Sequence, residues 1–299
     1  MKFGYYVRSV FSYPEIRDLT LKVEKLGFDS VHVNDHLIHG TLKKDPYLEA
    51  MMLMSALAAE TSKIKLGHLV LCNSFRNPAY LAKMVCTLDN ISNGRALFWL
   101  GAGWYEDEYK GYGYPFPTSK QRVDELEESL IIYKKLFTER ISNFEGKFWK
   151  LENNRNIPKP IQKPYPQLVL GTSGKRMIDI ACREADGINL ISIKADDLPK
   201  SIDNIKNKLK KYNRDISEFE ISCCCIITLI DNQQEGDNLK VEYQPYGNHY
   251  IGFPEDVKEE MDNLEDLGIG KVTLWRVLKS KQSESIKDPL ETFAEKVMK

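Results

Sequence analysis

An alternation along the chain constrains its fold more than any other feature. Short runs rich in β-branched and aromatic residues are each followed by a longer stretch whose apolar positions have helical spacing, and the pair repeats. KFGYYV opens the series, and the helix after it runs from near Pro14 to Leu26, where Gly27 is its stop. SVHV precedes a helix from about Pro46 to Thr61, and IKLGHLVL precedes one from about Pro78 to Ile91. ALFWL leads through a long connection to TSKQRVDELEESLIIYKKLF, where Thr118 and Gln121 have the spacing of a capping box. QLVLG, DGINLI, EISCCCIITLI and KVTLWRVL supply four more strands, with helices through Ala181 and Tyr212, from about Pro254 to Leu267, and to Met298. FEGKFWKLE reads as a small hairpin. IPKPIQKPYP reads as an extended crossing, not a domain linker, because the alternation resumes directly after it. The connection beginning DNQQEGDN is short and polar.

Such an alternation implies parallel strands joined by right-handed helical crossovers. Eight strand–helix pairs in 299 residues match a closed barrel, which takes about 250. An open doubly wound sheet is the competing architecture, but no G-x-G-x-x-G follows the first strand. The expected fold is α/β: a single (β/α)8 TIM barrel over residues 1–299, with insertions at the C-terminal face of the strands.

Charge narrows the function. Lys and Arg (42) nearly balance Asp and Glu (43) and are spread along the chain, which argues against nucleic acid or an anionic membrane as a partner. No apolar run approaches a membrane span, and MKFGYYVRSVF is too short and interrupted for a signal peptide. The six cysteines contain no CxxC pair, and Cys223, Cys224 and Cys225 sit inside an apolar strand. They read as core thiols in a reducing cytosol. A cytoplasmic protein acting on a small molecule is the expectation.

In a barrel of this kind the loops after the strands build the active site. The second strand ends in Asn34-Asp35-His36, where a carboxylate could orient an imidazole or hold it charged; an Asx turn with His36 merely in the loop is the competing account. After the third strand, Arg76 and Asn77 could meet a polar ligand edge, while Asn77 before Pro78 suits a helix cap. After the fourth, Gly101 and Gly103 leave room for a ligand against the backbone. Trp104 and Tyr105 could wall a flat ring, with Tyr109, Tyr112 and Tyr114 as aromatic cover, and Glu106, Asp107 and Glu108 add acid. Gly171-Thr172-Ser173-Gly174-Lys175, at a helix start, offers the dense donors of a phosphate-binding turn. Asn189, Trp275 and Arg276 lie at other strand ends. His39, His68 and His249 lack any ligand spacing with His36, so no metal site is expected.

In order, LGFDSVHVNDH, IKLGHLVLCNSFRNPAYLAKMVCTLDNISNGRALFWLGAGWYEDEY, YPFPTSKQRVDELEESLIIYKKLFTE and GTSGKRMIDIACREADGIN resemble the bacterial-luciferase-like flavin and deazaflavin oxidoreductases. The likeness is dense to about residue 195 and thinner beyond, where GFPEDVKEEMDNLEDLGIGKVTLW still fits. The resemblance implies a TIM barrel binding coenzyme F420 or FMN. NDH, SNGR, GAGW and the chain length resemble the F420-dependent branch, which transfers hydride. It implies Asp35 and His36 against ring and substrate, with His36 exchanging a proton. A non-prolyl cis peptide near Leu69 and Val70 would lie behind the ring, and Gly171 to Lys175 would grip phosphate. Members that oxidise a sugar phosphate carry Glu where this chain has Trp104, so Glu108 is the acid left to serve, with Trp104, Tyr105 and Trp275 toward substrate. A homodimer is implied, and a flavin reductase as partner if the cofactor is FMN. An FMN monooxygenase and a non-catalytic cofactor-binding protein are the alternatives.

Overall fold

The computed structural model describes residues 1–38, 46–191, 193–243 and 248–299. His39 lies outside them. The first half runs β1 (Lys2–Tyr6), α1 (Tyr13–Lys25), β2 (Ser30–Val33), α2 (Ala50–Glu60), β3 (Lys65–His68), β4 (Leu71–Cys72), α3 (Pro78–Ile91), β5 (Phe98–Gly101), α4 (Glu106–Gly111) and α5 (Ser119–Thr138). The hairpin β6 (Ser142–Glu145) and β7 (Lys150–Asn154) comes next, and then β8 (Leu168–Gly171), α6 (Lys175–Glu184), β9 (Gly187–Leu190), α7 (Leu198–Lys211) and β10 (Glu220–Leu229). The chain ends with α8 (Gln233–Tyr243), β11 (His249–Gly252), α9 (Pro254–Leu267), β12 (Lys271–Lys279) and α10 (Pro289–Lys296). All eight expected strands form, the third as β3 and β4 in succession. Among the described residues no helix is long and apolar enough to cross a membrane.

The chain divides into two compact units. One holds Met1–Tyr6, Lys22–Val31 and Thr172–Lys299. In it β1, β12, β10 and β9 lie side by side with every pairing parallel. β9 pairs with Glu220–Cys223 of β10, and β11 takes the same edge higher up, at Ile226–Leu229. The cysteines of β10 are all buried in this sheet, as are the remaining three elsewhere, and all six are free thiols.

The other unit holds Val7–Leu21 and His32–Gly171. Here β5 pairs in parallel with β8 on one side and β4 on the other, and Leu66 of β3 bridges to Ala96. β2 and β5 are buried along their whole length, as parallel strands covered on both faces must be, and Ser30 and His32 are buried with them. SNGR closes α3 and opens β5: Asn93 and Gly94 take left-handed backbone, and Arg95 donates to the carbonyls of Ala58, Thr61, Ile64 and Ser92. That guanidinium satisfies carbonyls that the end of α2 leaves open.

Boundaries follow local chemistry. Gly27, at φ +86, ends α1 in the left-handed conformation that a side chain resists. The Asn77 side chain accepts from the Ala79 and Tyr80 amides, so Asn77 caps α3 as its position before Pro78 suggests. Thr118 accepts from the Gln121 amide, but the Gln121 side chain turns to Glu125, so only half of the capping box forms. Extra elements follow two of the strands, α4 after β5 and α8 with β11 after β10, and the expected small hairpin forms as β6–β7. The β6–β7 hairpin lies between α5 and β8, a helix-to-strand connection. The polar connection after β10 is itself structured and carries α8 and β11. Its residues have neither a clear helical stripe nor an apolar run to announce those elements.

Candidate active site

His36 follows β2, and its carboxylate partner is Glu108, on the first turn of α4. His36 Nδ1 lies 2.9 Å from Glu108 Oε1, while Glu108 Oε2 accepts from the Leu37 amide at 2.9 Å. Glu108 is 2% exposed and His36 is 24% exposed. A carboxylate only accepts, so Nδ1 carries the hydrogen, and Nε2 has no partner among the described residues. The expectation that Asp35 orients His36 is thereby corrected.

Asp35 faces the other way, and three donors hold it. Arg76 NH1 donates to Oδ2 at 2.6 Å, NH2 to Oδ1 at 2.9 Å, and the Cys72 amide to Oδ2 at 2.9 Å. Arg76 NH2 also donates to Glu49 Oε1 at 2.5 Å. Burial alone would lower the Arg76 pKa, but its bonds to Asp35 and then Glu49 hold it above the ordinary value. Arg76 is therefore committed inside the protein, not offered to a ligand edge. Asp35 is equally committed: a bidentate guanidinium and a backbone amide hold its carboxylate. Glu49 takes part in this network and yet escaped the sequence reading. It stands 27 residues from Arg76 and reads only as a position in the first turn of the helix expected from about Pro46, whereas it is the cap of α2, accepting from the Met52 amide.

The aromatic cover after β5 is tightly built. Tyr109 is fully buried, and its hydroxyl meets Cys72 Sγ at 3.2 Å. A Cβ on Gly103 would come within 1.9 Å of that hydroxyl, and the residue sits at φ +77, so only glycine fits. A Cβ on Gly101 would meet Val70 Cγ2 at 2.8 Å. The missing Cβ atoms of Gly101 and Gly103 are thus accounted for by the chain's own packing. Burial pushes the Cys72 thiol up to about 12 and raises the Tyr109 phenol, so neither supplies charge. Trp104 is 68% exposed, edge-on to the His36 ring at 5.8 Å, and Tyr105 packs against Trp104 at 5.3 Å. The peptide bond between Leu69 and Val70 is cis.

Gly171 is the last residue of the unit that holds His36, and the remaining expected residues belong to the other one. Thr172 is half-buried, and Ser173, Gly174 and Lys175 are exposed at the start of α6. Thr172 Oγ1 accepts from the Gly174 amide at 2.9 Å, and no side chain caps the helix. The first turn of a helix leaves amides without intrahelical partners, and Lys175 stands at this one. Asn189 is buried and bonded to Ser222 and Cys224, so it is a core residue. Trp275, on β12, is 38% exposed.

A model of the luciferase-like monooxygenase family matches residues 1–243. The chain belongs to that family. Among curated members it is similar to an F420-dependent glucose-6-phosphate dehydrogenase of Amycolatopsis mediterranei, with 29% identity over 62% of this chain and 56% of that one. It is also similar to an FMNH2-dependent dimethylsulfone monooxygenase of Pseudomonas putida, with 28% identity over 54% of this chain and 44% of that one. The chain thus matches about half the length of these relatives. Among solved structures, an F420-dependent secondary alcohol dehydrogenase in complex with an F420–acetone adduct superposes with a TM-score of 0.83 over 99% of this chain and 98% of that one, at 18% identity. That likeness establishes the luciferase-like TIM barrel as the fold.

Proposed function

We propose that this protein is an F420-dependent oxidoreductase that transfers a hydride between coenzyme F420 and a small organic substrate, with His36 as the group that exchanges the accompanying proton. One observation carries the reading. A partly exposed imidazole has Nδ1 fixed by a buried carboxylate and Nε2 facing away from it, which is the arrangement of a general acid–base. His36 is the catalytic residue, Glu108 positions it, and Asp35 is a fastened wall of the site. The F420-dependent relative and the F420-dependent structural neighbour favour this cofactor over FMN.

The residues fit such a group. The uncapped start of α6, with Thr172, Ser173, Gly174 and Lys175, has the donors and charge for a phosphate of the cofactor tail. Within the unit that holds His36, the residues assigned to the ring are Leu69, Val70 and Asp35, and those assigned to the substrate are Trp104 and Tyr105, with Gly101 and Gly103 shaping the backbone beside them. When bound, a deazaflavin supplies the hydride acceptor or donor. The protein's part is to orient the reactants, shelter them, and hold or deliver a proton at Nε2. The setting proposed is a cytoplasmic homodimer with one catalytic domain.

The test is fluorescence titration of the purified protein with F420 and with FMN, followed by His36→Ala. Tight F420 binding is expected with negligible FMN binding, and His36→Ala should cut turnover by about 10²–10⁴-fold while cofactor affinity stays within a few-fold. The alternative is an FMN monooxygenase served by a flavin reductase, in line with the dimethylsulfone monooxygenase relative. Preferential FMN binding would establish it, and unchanged turnover would remove His36 from the mechanism.

A further inference from the structure

The loop that carries His36 leaves the sheet before the histidine is reached. β2 ends at Val33, whose carbonyl still accepts from the Leu69 amide, and among the described residues no backbone-to-backbone bond is formed by residues 34–38. A segment without such a ladder keeps its conformation through side chains that take up its amides and carbonyls. Asp35 is fastened by Arg76 and the Cys72 amide. The stretch beyond it is held by α4 and by Tyr112, the residue that closes α4.

Glu108 and Tyr112 stand four residues apart, and the Tyr112 amide donates to the Glu108 carbonyl at 3.1 Å, so the two side chains share one face of this short helix. Both reach Leu37. Glu108 Oε2 accepts from the Leu37 amide at 2.9 Å, and the Tyr112 hydroxyl donates to the Leu37 carbonyl at 3.3 Å. The Leu37 side chain packs against Cys72, Phe75 and Tyr109, the last of these also on α4. Both peptide planes flanking Leu37 are thereby pinned, and one of them joins it to His36. Tyr112 is 57% exposed, and a hydroxyl–carbonyl bond at the surface adds little to stability, because water replaces it when it is lost.

Building on the hydride-transfer reading, in which His36 exchanges a proton, we propose that Tyr112 is a positioning residue for that histidine. Glu108 sets the rotation of the imidazole, and Tyr112 keeps the backbone beneath it from turning, so that Nε2 stays in place for the reaction. The two act as one clamp. Releasing the Leu37 carbonyl loosens the Leu37 amide, and with it the carboxylate that fixes Nδ1.

The clamp is tested on ¹⁵N-labelled, cofactor-free protein with Tyr112→Phe, which removes the hydroxyl and leaves the ring. Tyr114→Phe is the control, since it removes a comparable bond, from the Tyr114 hydroxyl to the Phe75 carbonyl at 3.0 Å, farther along the same segment. In Tyr112→Phe the Leu37 amide is expected to exchange with solvent at least about fivefold faster. His36, a single Nδ1–H tautomer in the parent, should show the second tautomer at roughly a tenth of the population or more. The urea midpoint should match the parent, and Tyr114→Phe should leave both His36 and Leu37 unchanged. Unchanged Leu37 exchange or an unchanged His36 tautomer in Tyr112→Phe overturns the inference. So does the same response in Tyr114→Phe, or a lowered urea midpoint with faster exchange throughout α4, since either one is a general loosening. No cofactor enters these measurements, so failure to bind F420 would sink the hydride-transfer reading alone.

Discussion

At the scale of the residue, His36 has one ring nitrogen bound within the protein and one left for chemistry, and Glu108 decides which is which. The carboxylate selects the tautomer with hydrogen on Nδ1 and fixes the plane of the ring. Glu108→Ala should therefore lower kcat about 10²-fold with KM nearly unchanged. The accompanying signature is in the ring ¹⁵N shifts of His36, expected to report a single tautomer in the parent protein and a mixture in the variant. A single tautomer in both would assign Glu108 a packing role only. Much of this was legible in the sequence. DH after an apolar run drew attention to His36, and the acidic stretch after GAGW contained Glu108. The pairing itself was not legible, because 72 residues separate the partners while Asp35 stands next to His36. Adjacent side chains at a strand end diverge, and the nearer carboxylate is the wrong partner for that geometric reason.

At the scale of the element, Arg76 gathers three connections. It joins the loop after β2, through Asp35, to the cap of α2, through Glu49, from its own place just before α3. Asp35 and Arg76 are both nearly excluded from solvent, with side chains 1% and 9% exposed. Arg76→Ala leaves a buried carboxylate with only the Cys72 amide, at a cost on the order of 3–5 kcal/mol, to be read from the midpoint of urea unfolding. Arg76→Lys should recover part of the loss, since a lysine cannot grip both carboxylate oxygens as the guanidinium does. Equal stability of Arg76→Ala and the parent would contradict this account. The elements themselves were the most legible part of the chain. Long helices with clean caps, such as α3 and α9, fall where Asn77, Pro78 and Pro254 place them. α8 and β11 were not legible. The first has little apolar face to bury, and the second is four residues fixed by pairing with β10 rather than by its own composition.

At the scale of the whole molecule, burial of titratable groups sets the conditions under which the fold survives. His68 is wholly buried, donates from Nε2 to the Ala50 carbonyl at 3.3 Å, and is held neutral down to about 4 by burial. Unfolded, it would take up its proton near 6.5. Between those values the unfolded chain binds more protons, so stability rises with pH there and is fully present above about 6.5. As pH falls to about 4, this residue removes about 3 kcal/mol. His68→Gln keeps a donor toward Ala50 but does not titrate, and it should flatten that part of the pH–stability curve. An unchanged slope would clear His68. Burial also makes the thiols silent. All six cysteines are buried, so a thiol-reactive chromophore should label the folded protein slowly and react with all six in denaturant.

The guanidinium of Arg76 has a consequence for how sequences of this kind can diverge. Because one cation neutralises two carboxylates from separate loops, none of the three positions is free to drift alone. A lineage that loses the charge at 76 must shed the acid at 35 or supply a new cation, and position 49 is released at the same step. Across an alignment of relatives, positions 35, 49 and 76 should therefore covary as a set.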